Sequence, residues 1–251
     1  MRYHSLQATI RSRKIMIDKM AIEGFEILHD VMTDKEISAI TNIVSGADIS
    51  GPVFRKSKDL FAIRQFFKHM PEVSDIVMGS RLINIFQRSY GTDYFVVKSI
   101  YFDKPPASNW FVSYHQDLTI SVKERIQIEG FGPWTVKEGQ FAVQPPVAML
   151  EDNITVRLHL DKTSKENGAL KVIPGSHLKG IYRPETINWE TETEVDCEVP
   201  RGGAMLMKPL LLHSSGRTVN DERRRVIHIE FSRCDLPGLQ WAELLKPSAC
   251  S

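Results

Sequence analysis

The 251-residue sequence has few cysteines, no long apolar run and no excess of charge of one sign. Its cysteines, Cys197, Cys234 and Cys250, form no CxxC pair, which argues against a zinc ribbon or a disulfide scaffold and favours a reducing compartment, the cytoplasm. No stretch approaches roughly 18 consecutive apolar residues, so the sequence predicts no membrane-spanning helix. Because 32 basic residues balance 31 acidic ones, it also predicts no binding to nucleic acid or to an anionic membrane.

The composition is that of an ordinary globular chain, with 42% hydrophobic and 25% charged residues. A chain of this length can bury the core of one domain. We therefore predict one domain over 1–251, with a helical N-terminal part over about 1–92, a β-rich core over about 93–235 and a C-terminal tail over 236–251. The sequence carries no signal for the oligomeric state.

The first seventeen residues are basic, with Arg2, Arg11, Arg13 and Lys14 and no acidic residue. This composition faintly resembles that of a transit peptide. The interpretation that we favour is a strand or helix that docks on the domain.

Two helices are predicted in the N-terminal part. Thr33 and Glu36 have the spacing of a capping box, and apolar residues then recur at helical spacing at Ile37, Ile40, Ile43 and Val44. A second helix is predicted from about Pro71 to just before Gly91. Its apolar side contains Val73, Ile76, Val77 and Phe86.

Beyond Gly91 the apolar pattern changes to that of strands. The segment from Tyr94 to Phe102 is aromatic and β-branched, and apolar and polar residues alternate from Ile154 to Asp161. Further short runs follow over 169–173, 204–207 and 226–231. Many short strands without intervening helices predict an antiparallel sandwich or barrel.

The sharpest local motif is YHQD at 114–117. Side chains two apart on a strand point to the same side, so His115 and Asp117 can bind one metal ion while Gln116 faces away or lies at the rim. A third ligand must come from a distant strand, and His213 is a good candidate. Two histidines and one carboxylate on one face of an octahedral ion are the ligands of non-haem iron(II) oxygenases.

A second triplet of the same form, His159-Leu160-Asp161, also precedes His213. Spacing alone does not decide which pair binds metal. If His159 and Asp161 are not ligands, Asp161 begins a loop in which a carboxylate commonly accepts backbone N–H bonds.

Several ordered motifs resemble those of the phytanoyl-CoA dioxygenase family. They are GFEILHDVMTDKEI (24–37), DKPP (103–106), YHQDL (114–118), HLDKTSKENGALKVIPGSH (159–177), PLLLHSSGRT (209–218) and RRRVIHIEF (223–231). The resemblance covers most of the chain, and its most specific part is ENGAL followed by IPGSH. It implies a mainly β fold with a double-stranded β-helix (jelly-roll, cupin-like) core and flanking N-terminal helices.

The resemblance also implies a set of site residues. His115 and Asp117 would bind the metal, with His213 as the distal ligand. Arg224, eleven residues after His213, would hold the far carboxylate of 2-oxoglutarate, because a planar guanidinium binds a carboxylate bidentately. The hydroxyl of Ser215 would bind the same carboxylate.

Two further positions are candidates for binding the co-substrate. Gln116 matches a family position near 2-oxoglutarate. Arg157 stands where the family's namesake has an aromatic residue, so the shape of the pocket differs here. Under strand alternation Arg157 lines the pocket or lies on a solvated outer face, and whether Arg157 or Lys98 contacts the co-substrate stays open. If the register of the strand were shifted by one residue, Arg223 or Arg225 would take the role of Arg224.

The implied activity is that of an Fe(II)- and 2-oxoglutarate-dependent dioxygenase. Such an enzyme uses O2 to hydroxylate a small organic or acyl-conjugate substrate and releases succinate and CO2. Related halogenases replace the metal-binding carboxylate with a small residue, so an intact Asp117 favours hydroxylation. Two other functions stay open, which are a jelly-roll binding or regulatory protein that has lost turnover and a cupin-like metalloenzyme that needs no co-substrate.

The substrate is not apparent from the sequence. We expect specificity to lie in the N-terminal helices and in the segment 119–150, which contain no recognisable binding motif. The longer segment 103–150, which contains Trp110 and Trp134, resembles an active-site lid. An ordinary surface excursion would have the same sequence pattern.

Overall fold

The structure is a computed structural model that describes residues 19–47, 54–57, 59, 61–137 and 139–246. The predicted N-terminal strand or helix over the first seventeen residues lies outside the described residues. The helices are α1 (Asp34–Gly46), α2 (Phe66–His69), α3 (Pro71–Met78), α4 (Arg81–Tyr90) and α5 (Val147–Asp152). The strands are β1 (Phe25–Leu28), β2 (Phe54–Lys56), β3 (Phe61–Arg64), β4 (Phe95–Lys104), β5 (Val112–His115), β6 (Ile120–Val122), β7 (Trp134–Lys137), β8 (Gln140–Val143), β9 (Ile154–His159), β10 (Leu170–Val172), β11 (Val195–Cys197), β12 (Ala204–Met207), β13 (His213–Ser215) and β14 (Arg224–Ser232).

Two antiparallel sheets form the core of the described part of the chain. The larger sheet has the strand order β1-β12-β9-β14-β4-β3-β2, and the smaller has the order β11-β10-β13-β5. Side chains from both sheets line one cavity between them. Neighbouring strands in each sheet are mostly remote in sequence, as in a jelly roll, so the prediction of a mainly β fold is confirmed.

The alternation of side chains along β14 separates the hydrophobic core from the cavity. Ile227, Ile229 and Phe231 belong to the main hydrophobic cluster together with residues of α1, α3 and α4. Arg224 and His228 point to the opposite side and line the cavity. A strand buried on both faces can therefore present apolar side chains to the helices and charged ones to a site.

The N-terminal part contains both expected helices, but the second is divided. The capping box of α1 is present, because the Glu36 amide donates to the Thr33 hydroxyl at 3.3 Å and the Thr33 amide donates to the Glu36 carboxylate at 2.7 Å. The helix predicted from Pro71 to Gly91 ends at Met78 and begins again at Arg81. The Ser80 hydroxyl donates to the Val77 carbonyl at 2.6 Å, which competes with continued helix.

The N-terminal part also contributes strands β1, β2 and β3 to the larger sheet. These strands have three or four residues each. Runs this short carry too little alternation to predict a strand from sequence.

The segment after the HxD motif forms a small sheet of its own, with the order β6-β8-β7. Ile120, Val122 and Val143 from this sheet pack in a second hydrophobic cluster with Leu239 and Trp241 from the C-terminal part of the chain. The segment that was expected to be a lid or a surface excursion therefore packs through apolar side chains against the C-terminal part of the chain.

Among the described residues, no helix combines the length and the apolar composition needed to cross a bilayer.

The packing of the helices on the larger sheet predicts the effect of a core substitution. The rings of Phe86 and Phe231 stack at a centroid distance of 4.4 Å, and both side chains are buried. Phe86→Ala removes this contact and leaves a cavity, so we expect a loss of about 3–5 kcal/mol of unfolding free energy in urea denaturation. The control Val219→Ala changes a side chain that is 78% exposed and should cost under about 0.5 kcal/mol. Equal effects of the two substitutions would contradict this packing.

Candidate metal centre

Pairing of β5 with β13 brings three candidate ligands together. His115 is the last residue of β5, and it lies opposite His213, the first residue of β13. Asp117 follows two residues after His115, where its backbone amide donates to the Pro209 carbonyl at 2.9 Å. One ligand atom from each of His115, Asp117 and His213 lies within 4.8 Å of the other two. The structure thus places these three predicted ligands around a common point.

Backbone contacts determine which nitrogen of each histidine faces that point. The Nδ1 atom of His115 lies 2.8 Å from the Ser113 carbonyl, and the Nδ1 atom of His213 lies 2.9 Å from the Leu211 carbonyl. A carbonyl oxygen only accepts, so each Nδ1 carries the proton and donates it. Each Nε2 therefore presents a lone pair, and each lies 3.9 Å from a carboxylate oxygen of Asp117.

The electrostatics of the three residues suit a cation. Burial lowers the pKa of His213 to about 4, which keeps this imidazole neutral near pH 7. Burial alone would raise the pKa of Asp117, but the electrostatic interactions with the surrounding basic groups, His213 first, outweigh burial and lower it. One carboxylate oxygen of Asp117, Oδ2, is buried and has no hydrogen-bond partner among the described residues. A metal ion between two lone pairs and a carboxylate would satisfy this oxygen, so the donor set fits Fe(II).

In a second cluster of possible metal ligands, side-chain cations already contact the ligand groups. Asp117, His228 and Glu230 also bring ligand atoms within 4.8 Å of one another. Glu230 accepts from the Lys98 ammonium at 2.7 Å and contacts the Nε2 atom of His228 at 3.1 Å. The other ring nitrogen of His228 lies 3.3 Å from the Arg157 guanidinium. Both nitrogens of His228 are therefore in use, and the first cluster is the better metal site.

The second HxD triplet has other partners. The Nδ1 atom of His159 contacts the Thr163 hydroxyl at 2.6 Å. Asp161 binds the Arg225 guanidinium at 2.8 and 2.6 Å and accepts from the Arg225 amide at 2.9 Å. Neither His159 nor Asp161 belongs to a metal-ligating cluster in the described part of the chain.

A cavity of about 290 Å³ extends from the three candidate ligands into the barrel. It is lined by Ala62, Arg64, Lys98, Ile100, Phe102, Trp110, Val112, His115, Asp117, Arg157, Leu170, His213, Ser215, Arg224, His228 and Glu230. The predicted site residues Arg224, Ser215 and Arg157 thus share a cavity with the three ligands. Trp134 and Gln116 do not line it.

Arg224 is a buried cation with unused hydrogen-bonding capacity. Its side chain is 2% exposed, and its Nη1 donates to the Gly168 carbonyl at 2.5 Å. The Ser215 hydroxyl donates to the same carbonyl at 3.1 Å. The Nε atom of Arg224 has no partner among the described residues. Burial, and then the charge of Arg157, lower the pKa of Arg224 to about 9, so it stays charged near pH 7 and can take an anionic ligand.

The neighbouring arginines are paired on the opposite side of β14. Arg223 forms a two-pronged ion pair with Asp103, with Nε at 2.7 Å from a carboxylate oxygen. Arg225 forms the corresponding pair with Asp161. The register of β14 thus makes Arg224 the member of the arginine run that faces the cavity.

Gln116 faces away from the cavity and binds backbone groups. Its side-chain amide donates to the carbonyls of Gly180 and Leu210 at 2.9 and 2.5 Å and accepts from the Tyr182 amide at 2.8 Å. These contacts hold the strand end that carries the HxD motif. The role of Gln116 beside the co-substrate stays a prediction.

Lys104 is a buried lysine that the sequence did not predict as a site residue. Its side chain is fully buried, and its ammonium donates to the Gly216 carbonyl at 2.6 Å. Burial, and then the charge of Arg224, lower the pKa of Lys104 to about 7. The residue lies in the DKPP motif and follows Lys98 at an even spacing along β4, which is the signal that could have placed it on the inner face.

The family model described as phytanoyl-CoA dioxygenase (PhyH) matches residues 23–226. Phytanoyl-CoA dioxygenase domain-containing protein 1 of Rattus norvegicus is 27% identical over 229 residues, which cover 84% of this chain and 62% of that protein. A probable alpha-ketoglutarate-dependent hypophosphite dioxygenase of Stutzerimonas stutzeri is 30% identical over 102 residues, which cover 34% of this chain and 35% of that protein. The matched parts thus span less than two thirds of either relative.

The solved structure of the non-heme alpha ketoglutarate dependent epimerase SnoN from nogalamycin biosynthesis superposes with a TM-score of 0.65 at 15% identity. The superposition covers 95% of this chain and 94% of that one, which confirms the jelly-roll fold. The family match includes β5, β13 and the start of β14, from which the candidate ligands and Arg224 come. Because that match covers most of the sequence, this chain belongs to the phytanoyl-CoA dioxygenase (PhyH) family.

Proposed function

We propose that the protein is an Fe(II)- and 2-oxoglutarate-dependent dioxygenase that hydroxylates a small organic substrate. The observation that carries this proposal is one cavity that contains two kinds of unsatisfied group. The Nε2 lone pairs of His115 and His213 face the carboxylate of Asp117 at one end. The buried guanidinium of Arg224, whose Nε has no partner in the described part of the chain, lies in the same cavity. A metal ion would bind the three ligands, and a dicarboxylate that chelates this ion could reach the Arg224 guanidinium with its far end.

Each residue has a role that follows from its contacts. His115, Asp117 and His213 would hold Fe(II) and leave three adjacent positions for other ligands. Arg224 would bind the far carboxylate of 2-oxoglutarate, with the Ser215 hydroxyl beside it. When bound, Fe(II) supplies the activation of O2 that converts 2-oxoglutarate to succinate and CO2 and places one oxygen atom in the substrate. The apolar wall formed by Ile100 and Phe102 would exclude water.

The retained carboxylate supports hydroxylation rather than halogenation. Asp117 occupies the position that a halide would need, and its side chain is mostly buried between the two histidines. A protein that had lost turnover would have no physical reason to keep the buried charges of Asp117 and Arg224, since each is costly to bury without a ligand. Arg224 also argues against a cupin-like metalloenzyme that needs no co-substrate.

The size of the cavity supports a small substrate. About 290 Å³ would accommodate 2-oxoglutarate together with a small molecule or the end of a longer one. The names of the rat and Stutzerimonas stutzeri relatives do not specify one substrate for this chain. The described cysteines, Cys197 and Cys234, are free thiols, which supports a reducing compartment such as the cytoplasm.

The metal assignment predicts that substitution of His115 abolishes iron binding and turnover, whereas substitution of His159 leaves both nearly unchanged. His115→Ala removes a ligand, so we expect Fe(II) binding and succinate release with 2-oxoglutarate in air to fall by about a hundredfold or more. The matched variant His159→Asn keeps a polar group near the Thr163 hydroxyl and should retain most of both. Succinate is quantified after aerobic incubation, and bound iron is measured on the same samples. Loss of iron in His159→Asn alone would make the ligand assignment wrong.

The register of β14 predicts which arginine binds the co-substrate. Arg224→Gln removes a buried guanidinium from the cavity, so we expect the dissociation constant of 2-oxoglutarate to rise about tenfold to a hundredfold. Arg223 is paired with Asp103 on the other side of the strand. Arg223→Gln should therefore change the dissociation constant of 2-oxoglutarate by less than about twofold. The measurement is anaerobic titration of the Fe(II) protein, followed by the visible charge-transfer band expected for an iron–2-oxoacid chelate. A wild-type protein that binds Fe(II) and never shows the band would support the alternative of a retired site.

A further inference from the structure

Arg157 is a second buried guanidinium in the cavity. Its side chain is 8% exposed and lines the cavity wall. Its Nε atom has no partner among the described residues. Burial lowers the pKa of Arg157 to about 10, and the nearby charge of Asp117 opposes this change. The residue is therefore a buried cation near pH 7 that lines the cavity.

A chain of hydrogen bonds holds this guanidinium in place. Arginine only donates, so the Nδ1 atom of His228 accepts from Arg157 Nη1 at 3.3 Å. The ring proton of neutral His228 then lies on Nε2, which donates to Glu230 at 3.1 Å. Glu230 accepts from the Lys98 ammonium at 2.7 Å. This relay orients Arg157 before any ligand binds, which lowers the entropic cost of binding.

Arg157 and Arg224 lie at different depths in the barrel. Arg157 pairs with His228 across β9 and β14, and Arg224 lies four residues earlier on β14. At about 3.3 Å per residue, the backbones at these two levels are about 13 Å apart. His228 and Asp117 bring ligand atoms within 4.8 Å of each other. Arg157 therefore belongs to the metal end of the cavity, and Arg224 to the end that would hold the far carboxylate.

The charges that line the cavity do not balance when the co-substrate is included. Arg64 aside, the cationic lining residues are Lys98, Arg157 and Arg224, and the anionic ones are Asp117 and Glu230. Fe(II) and the 2-oxoglutarate dianion would cancel each other. One positive charge of these five residues then remains, and uncompensated charge is costly where it is buried.

We propose that the substrate is a small molecule with an oxyanionic group, a carboxylate or a phosphonate, that the relay-held guanidinium of Arg157 binds beside the metal. The proposal rests on the proposed function, since it assumes that Arg224 binds 2-oxoglutarate. Arg157 lines the cavity, its Nε atom has no partner among the described residues, and the excess positive charge of the lining favours an anion. Ile100, Phe102 and Trp110 line the same cavity and would contact the apolar part of such a substrate.

The experiment uses anaerobic protein with Fe(II) and saturating 2-oxoglutarate. Acetate and methylphosphonate are titrated as oxyanion probes, and acetamide and dimethyl methylphosphonate serve as their uncharged counterparts. Binding is measured from the change in the visible band of the chelate, at two 2-oxoglutarate concentrations. We expect saturable binding of the oxyanions that does not depend on the 2-oxoglutarate concentration, and no binding of the uncharged probes.

Variants of Arg157 test the assignment. In Arg157→Met we expect the dissociation constant of methylphosphonate to rise at least about tenfold, and in Arg157→Lys to rise less, because the charge is kept. Arg88→Met changes an exposed arginine on α4 and should match the wild type. Retained oxyanion binding in Arg157→Met would overturn the proposal, as would equal binding of charged and uncharged probes.

Two further outcomes distinguish this proposal from the one on which it rests. Oxyanion binding that weakens as 2-oxoglutarate increases, or a chelate band lost in Arg157→Met, would make Arg157 a co-substrate ligand and overturn the inference alone. A wild-type protein that forms no chelate with 2-oxoglutarate would instead overturn the proposed function itself.

Discussion

The pairing of β5 with β13 is the constraint on which the site depends. His115 and His213 are remote in sequence, and they meet because their backbones are direct neighbours in the smaller sheet. Side chains alternate along a strand, so a shift of one residue in this pairing would turn one imidazole out of the cavity. The backbone carbonyls of Ser113 and Leu211 then orient the two rings. Register and ring orientation together create the metal-binding face.

The larger sheet contributes the charged wall opposite that face. On β14, Ile227 and Ile229 are buried against the helices, while Arg224, His228 and Glu230 line the cavity. The apolar face stabilises the strand strongly enough to carry buried charges on the other face. The unsatisfied donors of Arg157 and Arg224 are then groups that a bound anion would stabilise, so ligand binding and stability are coupled.

Much of the architecture could be predicted from the sequence because several elements have long, regular patterns. The alternation over β9 was sufficient to predict a strand, and the capping box at Thr33 was sufficient to predict where a helix begins. The break between α3 and α4 was missed, since the apolar spacing continues across Gly79 and Ser80 although the helix does not. Strands β1, β2 and β3 were missed because each has only three or four residues and lies in a part with helical patterns. Lys104 was missed because lysine is usually solvated, although its even spacing from Lys98 places it on the same face of β4.

By itself, the sequence determined the residue types of the site and two possible HxD pairs, because side-chain chemistry and spacing two apart are local properties. The family resemblance favoured His115 and Asp117, and the tertiary structure adds the physical difference between the pairs: Asp161 binds Arg225, whereas an oxygen of Asp117 has no partner among the described residues. It also shows that Arg224, of three consecutive arginines, lines the cavity, and that Gln116 binds backbone carbonyls instead of lining it. These choices depend on strand register and on which charges are buried together, and both are set by contacts between residues distant in the chain.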